Sequence, residues 1–270
     1  MSEIYANRPA SSPLLSDCSF YQTIDIPGIG VQPGQWDLRG NVRNYLGDID
    51  FAGQRVLEIG TANGFVCFEM ERRGADVVAF DLAEELTYDA PPHSPEYLSQ
   101  DQYRDGLRRI RNAWWLAHAA LNSRARVAYG HANRIPSALG RFDVGVLANV
   151  MQHLQDPIGA LMGLAAISNN AVVVTETDWM HGTNEDLVGM IYFDKDNPYV
   201  WYQVKPRLVE AVLLRMGFVD IVRSEHRQLF KVSAEHTEAG AIGVETNVEV
   251  PHYTIVARRK NRPDSLIAPS

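Results

Sequence analysis

The chain has 270 residues, 46% of them hydrophobic and 21% charged, the make-up of an ordinary soluble globular protein with one good core and decorations. Its formal charge of -8 and pI near 5.5 count against gripping nucleic acid as a main task, because phosphate binding needs clustered Lys and Arg; a local basic groove stays open. The two cysteines, Cys18 and Cys67, cannot form a zinc site alone or suggest a disulfide framework. With no signal peptide and no run of about 18 apolar residues, the expectation is a cytoplasmic protein with no membrane contact.

Residues 1 to about 18 are rich in Ser, Pro and Ala and are expected to be poorly ordered without a partner. Order is expected from Phe20 to Ile26, followed by a turn-rich stretch to Gly34, the Trp36–Gly40 segment and a helix from Asn41 to Leu46. A Trp and an Arg in that position suit either a substrate lid or a packing plug. The stretch from Gln54 to Leu82 then reads as strand, glycine turn, helix, strand. Val56, Leu57 and Ile59 form an apolar run that breaks at Gly60-Thr61-Ala62-Asn63-Gly64, a helix follows to Gly74, and Val77–Phe80 forms a second buried strand ending on Asp81. Parallel βαβ crossovers are right-handed almost without exception, so the turn and Asp81 meet at the carboxyl ends of adjacent strands, where open α/β sheets bind ligands.

That pairing implies a nucleoside. Glycine admits backbone close to a ligand, and a carboxylate at the next strand end suits a ribose diol. A nicotinamide cofactor calls for G-x-G-x-x-G, whereas the spacing here is Glu58-x-Gly60-x-x-x-Gly64, so the pyrophosphate case is weak. The same residues also suit a plain strand-to-helix turn.

A polar segment from Ala83 to about Gln100 precedes a long helical pattern with Leu107, Ile110, Trp114, Ala117 and Leu121 as its buried stripe. Trp115 lies off that stripe and is expected to face the substrate side, a partner subunit or solvent. Arg126–Tyr129 reads as the third strand, ending at Gly130-His131-Ala132-Asn133, and Phe142–Asn149 as the fourth. Asp156-Pro157 is a helix start, an N-cap followed by a residue with no N–H to satisfy. Ala171–Thr175 reads as the fifth strand, with Glu176, Asp178, Trp179 and His181 at its mouth, and the segment to Trp201 and Tyr202 is aromatic enough to wall a pocket. A helix from Lys205-Pro206 to Gly217 and strands at Val219–Arg223 and His252–Ala257 close the pattern, with an irregular connection over 234–249 and a frayed tail from Arg258.

The stretch QRVLEIGTANGF with its acidic strand end, and FDVGVLANVMQHLQDP about 80 residues later, resemble motifs I and IV of the class I S-adenosylmethionine (SAM) dependent methyltransferases. With TIDIPGIGVQPGQWDLRG ahead of them, they resemble the branch that includes bacterial tRNA wobble-uridine methyl and carboxymethyl transferases and small-molecule relatives. The resemblance implies a Rossmann-like, seven-stranded, mostly parallel sheet with helices on both faces and an antiparallel last strand. It implies a cap over the pocket at 1–50, a methyltransferase domain at 51–270, and insertions at about 83–122 and 178–203. The implied cofactor is SAM, released as S-adenosylhomocysteine. Glu58, Gly60, Thr61 and Gly64 would line its methionine end, Asp81 and Leu82 its ribose, and Ala132 and Asn133 its adenine, although His131 stands where many members have an acid. Ala148, Asn149, Trp36 and Arg39 are further expected cofactor contacts, and Tyr21, Trp115, Trp179 and Tyr202 expected substrate contacts.

Methyl transfer from a sulfonium is an in-line displacement that needs alignment, dehydration and, for a weakly acidic nucleophile, a base. His153 and His181 are expected where a base belongs and are of the residue type suited to that task, and Glu176 could orient either one or contact substrate. Glu176 and Asp178 alone are too few carboxylates for a metal-dependent enzyme, so no metal is expected. The reading is methylation of oxygen, or nitrogen, on a small acceptor, as in secondary metabolism. A tRNA-modifying enzyme and a non-catalytic SAM-binding subunit are the alternatives. A carboxylated SAM as donor and a homodimer stay open.

Overall fold

The computed structural model describes residues 4–86, 100–192, 199–232 and 246–260. Among the described residues twelve strands run in chain order: β1 (Ile24–Ile26), β2 (Gly30–Gln32), β3 (Trp36–Asp37), β4 (Arg55–Ile59), β5 (Asp76–Leu82), β6 (Arg126–Gly130), β7 (Phe142–Ala148), β8 (Ser168–Thr177), β9 (Met190–Tyr192), β10 (Tyr202–Val204), β11 (Phe218–Val232) and β12 (Thr246–Arg259). The helices are α1 (Val42–Tyr45), α2 (Phe65–Arg72), α3 (Gln100–Ala120), α4 (Pro157–Ile167) and α5 (Pro206–Arg215).

Eight strands make one mixed sheet in the order β3-β11-β12-β8-β7-β4-β5-β6. The β4, β5, β6, β7 and β8 pairings are parallel, with Ile59 beside Phe80 and Leu147, and the β12, β11 and β3 pairings are antiparallel. The expected count of seven is therefore short by one. The extra strand is β3, whose Trp36 and Asp37 pair with Phe230 and Leu229 at the sheet edge. Two residues carry no periodicity, so only the tertiary pairing reveals them. The final hairpin is also longer than the apolar runs indicate, reaching Val232 and starting again at Thr246, because its outer half leaves residues such as Val222 and Leu229 exposed.

Helices cover both faces, as expected. Val66, Cys67, Phe68 and Met70 of α2, Trp114 and Ala117 of α3 and Tyr45 of α1 pack on Val56, Val77, Val146 and Val173 on one side. Leu161 and Leu164 of α4 and Val209 and Leu213 of α5 pack on Leu57, Val78, Leu147 and Val174 on the other. Each Val, Leu, Phe or Met among them contributes about 1.5–3 kcal/mol on full burial. The α4 start is the expected one: Asp156 Oδ1 accepts the Gly159 N–H at 2.8 Å, with Pro157 at the first helical position.

The N-terminal segment is not a loose arm over its described part. The Ala6 N–H bonds to the Val127 carbonyl at the β6 edge, the Ser19 N–H to the Arg109 carbonyl of α3, and Arg109 Nη2 returns bonds to the carbonyls of Ser16 and Cys18. The aromatic excursion after β8 carries a small antiparallel hairpin, β9–β10. Phe193, the 234–245 part of the irregular connection and the tail beyond 260 lie outside the described residues.

Candidate functional site

Strand β4 delivers the chain into a turn that only small residues can make. Gly60 has φ +80°, and a Cβ there would meet Val150 Cγ2 at 2.4 Å. Gly64 has φ +89°, and a Cβ there would fall 2.5 Å from Phe68 and 2.6 Å from Trp114. Between them Ala62 is also left-handed, at φ +49°, and turns its N–H onto Asp81 Oδ2 at 2.7 Å. The other Asp81 oxygen accepts the Leu82 N–H at 2.7 Å. Each oxygen keeps an unused lone pair, the arrangement a vicinal diol needs. Burial raises the Asp81 pKa, opposed by those two N–H groups and by Arg111. Glu58 lies buried beneath the turn, and desolvation pushes it up to about 8 against the pull of the Thr61 hydroxyl. It is protonated at neutral pH, so its effect on a ligand is that of a neutral donor.

On the β6 side, Arg111 donates to the Leu82 carbonyl and stacks over Tyr129 at 4.4 Å. Asn133 Nδ2 bonds to the Asp156 carbonyl at 2.7 Å, which ties the end of β6 to the start of α4 and leaves Ala132 main chain beside it. Trp115 is half-buried against Trp114 and His118 of its own helix, on the α3 side of the fold.

At the end of β7, Ala148 is half-buried and Asn149 turns out of the strand at φ +56°. Glu176 Oε1 accepts the N–H groups of Val150 and Met151 at 2.9 and 2.8 Å. Burial pushes Glu176 up to about 7. That carboxyl is committed to holding the motif IV turn. His153 Nδ1 lies 2.5 Å from the Tyr199 carbonyl; a carbonyl only accepts, so the proton sits on Nδ1 and Nε2 keeps its lone pair. Desolvation lowers the His153 pKa below 6.5, so the ring is a neutral base at pH 7.

His181 Nδ1 stands 3.5 Å from Asp178 Oδ2, and Asp178 Oδ1 is 3.2 Å from the fully buried Lys205 Nζ. Asp178, His181 and Glu185 offer ligand atoms within 4.8 Å of one another, with the Lys205 ammonium already on Asp178. Next to this group stands an aromatic cluster from three distant segments. Trp36 lies 4.6 Å from Phe230 and 6.4 Å from Trp179, measured between ring centroids, and its indole N–H bonds to the Tyr21 hydroxyl at 3.2 Å. The Trp179 N–H is held by Gln203 Oε1 at 2.8 Å.

The glycine turn, Asp81 and Asn149 lie at the ends of β4, β5 and β7, whereas Trp36 is on β3 and Trp179 follows β8; the Tyr21 N–H, bonded to Asn63 Oδ1 at 3.0 Å, joins the two groups. Tyr202 belongs to neither, packing with Tyr192 and Trp201 on the β9–β10 hairpin. Arg39 pairs with Asp37 at 2.7 Å beside an open cleft of about 280 Å³ that includes Lys231 and Asn247 and none of the turn residues. Sequence reasoning missed Asn63, Gln203, Lys205, Phe230 and His252. Asn63 stood in view inside the glycine turn; Gln203, Phe230 and His252 lie on strands whose pairing no local pattern announces, and Lys205 stands at the start of α5.

A family model described as a methyltransferase domain matches residues 37–221, well over half of the chain. The ubiquinone biosynthesis O-methyltransferase of Aeromonas salmonicida is 24% identical over 168 residues, 61% of each chain. The enzyme of that name from Psychrobacter cryohalolentis is 30% identical over 110 residues, 41% of this chain and 35% of the relative. That from Xanthomonas oryzae is 45% identical over 56 residues, 21% of this chain and 23% of the relative. The matches thus span between about a quarter and three fifths of these curated relatives. Among solved structures, the N-terminal domain of EvdMO1 with S-adenosylhomocysteine and D-fucose superposes with a TM-score of 0.56 at 18% identity, covering 89% of this chain and 91% of that one. The magnesium protoporphyrin IX methyltransferase ChlM from Synechocystis, with bound S-adenosylhomocysteine, gives 0.50 at 14% identity, covering 82% and 81%. At such identities the likeness is one of fold. By its matched domain, residues 37–221, this chain belongs to the methyltransferase domain family.

Proposed function

We propose that the protein is a SAM-dependent methyltransferase that methylates an oxygen of a small, aromatic-bodied acceptor. The observation that carries the cofactor is the Asp81 carboxylate at the end of β5, held by the Ala62 and Leu82 N–H groups with one lone pair per oxygen to spare. Bound there, SAM supplies an activated methyl group. The glycine turn gives it close main-chain approach, and the neutral Glu58 adds no repulsion to its carboxylate.

The acceptor is assigned to the Trp36–Trp179 side, where Tyr21 and Phe230 complete an aromatic wall. Oxygen is favoured over nitrogen because the similar curated relatives are O-methyltransferases. His153 is the preferred base, since its Nδ1–H bond to Tyr199 presents Nε2 unprotonated. His181, half-exposed on Asp178, is the second. The acidic total favours a small acceptor over a tRNA.

The test is incubation with SAM and a panel of hydroxylated aromatic acceptors, reading S-adenosylhomocysteine release. Release with at least one phenolic acceptor, lost in His153→Ala or His181→Ala, supports the reading. Cofactor binding without release on any acceptor leaves a non-catalytic SAM-binding subunit.

A further inference from the structure

The residue that orders the centre of the site is one that no local pattern singles out. His252 lies on β12, directly across from Thr177 of β8, and is 1% exposed. Its ring is enclosed by Trp36 at 5.2 Å, Tyr45 at 6.0 Å and His226 at 5.6 Å, the last stacked at 15°. Its Nδ1 is 2.9 Å from the Val250 carbonyl oxygen. That oxygen only accepts, so Nδ1 carries the proton. The ring stays neutral, since burial drives its pKa down to about 3. Nε2 is then an acceptor, and the Asn149 side-chain atom 3.2 Å away must be the amide nitrogen.

This fixes the other end of the amide by chemistry. Asn149 is 7% exposed, and with Nδ2 committed to His252, its Oδ1 is turned away, buried and without a hydrogen-bond partner. A buried acceptor left unmade is costly, and a ligand donor relieves it. Asn149 stands at the end of β7, directly beside β4, and the next residue, Val150, closes over Gly60. Oδ1 therefore borders the part of the glycine turn assigned to the methionine end of the cofactor. That end offers a carboxylate, which only accepts, and an ammonium, which only donates. Only the ammonium matches.

We propose that His252 is a positioning residue that locks the Asn149 amide so that Oδ1 receives the α-ammonium of the bound cofactor. The inference rests on the SAM reading above. Substitution of His252 acts through Asn149, so the two behave as one unit.

The experiment is calorimetry on the full chain with two probes, S-adenosylhomocysteine, which carries the ammonium, and 5′-methylthioadenosine, which lacks the amino-acid moiety. His252→Phe keeps a ring in the aromatic pocket and removes the acceptor. Asn149→Gly keeps the left-handed backbone at φ +56° and removes the amide, so it reports even if His252→Phe fails to fold. Each variant is expected to weaken S-adenosylhomocysteine about tenfold or more, to leave 5′-methylthioadenosine within about twofold, and to add nothing further in the double variant. Equal losses for both probes, no loss for either, or losses that multiply in the double variant overturn the proposal. If the wild type binds neither probe, it is the SAM reading that has failed.

Discussion

Asn63 clamps Gln22 onto the glycine turn: its Oδ1 accepts the Gln22 N–H at 2.7 Å while its Nδ2 donates to the Gln22 carbonyl at 3.0 Å. The same Oδ1 takes the Tyr21 N–H at 3.0 Å, and the Asn63 side chain is wholly buried. A single side chain thus couples the segment that carries Tyr21 and Trp36 to the turn assigned to the cofactor. Replacing it with Ala strands two N–H groups and one carbonyl, each costing about 1–3 kcal/mol if it stays unsolvated. Asn63→Ala is expected to lower stability in urea by about 3 kcal/mol and to open residues 20–35 to proteolysis. Cleavage and midpoint unchanged from wild type contradict the clamp.

The two glycines of the turn are required for different reasons. At Gly60 the obstacle is a movable side chain, Val150 Cγ2, on top of the left-handed backbone. Gly60→Ala is expected to cost more than the roughly 1–2 kcal/mol of backbone strain alone, and Val150→Ala in the same chain should return the steric part. At Gly64 the added methyl meets Phe68 and Trp114 in the core, and no single truncation should rescue it. Denaturation of the single and double variants distinguishes the cases.

The βαβ unit and the motif IV helix start were legible because their signals are local. Val56–Ile59 is a buried run between Gly53 and Gly60, Val77–Phe80 one between Gly74 and Asp81, and Asp156-Pro157 caps α4 by its own chemistry. What could not be read is non-local. Trp36 becomes a strand residue only because Phe230, far along the chain, pairs with it. His252 reaches Asn149 only across the β8–β12 pairing. Glu176 was visible as a strand-end acid, but its commitment to the Val150 and Met151 N–H groups depends on the turn of the neighbouring strand.

Buried titratable groups impose opposite pH dependences. Glu58 rises on folding from 4.5 to about 8, so its contribution to stability is fully present below pH 4.5 and is lost as pH rises through 8. Glu58→Gln should remove that dependence and gain on the order of 4 kcal/mol over the wild type at pH 8.5, relative to pH 4.5. His252 and His226 fall from 6.5 to about 3 and about 4, so their contribution is present above pH 6.5 and lost as pH falls toward those values. Urea midpoints of wild type, Glu58→Gln and His226→Gln between pH 4 and 9 check both signs. A Glu58→Gln curve parallel to wild type above pH 5 contradicts the assignment.

If His153 is the base, its lowered pKa places the acid limb of the rate profile below pH 6.5 and keeps the enzyme at full rate through neutrality. His153→Ala should lower kcat about a hundredfold to ten-thousandfold and abolish that limb. A variant that keeps the limb and loses rate less than tenfold transfers the role to His181.

Calorimetric titration with S-adenosylhomocysteine, wild type beside Asp81→Ala, bears most directly on the whole account. The carboxylate's hydrogen bonds to a ribose diol contribute about 1.5–3 kcal/mol, so wild type should bind at micromolar concentration and Asp81→Ala about tenfold to a hundredfold more weakly. Failure of the wild type to bind, or equal binding by Asp81→Ala, would contradict it.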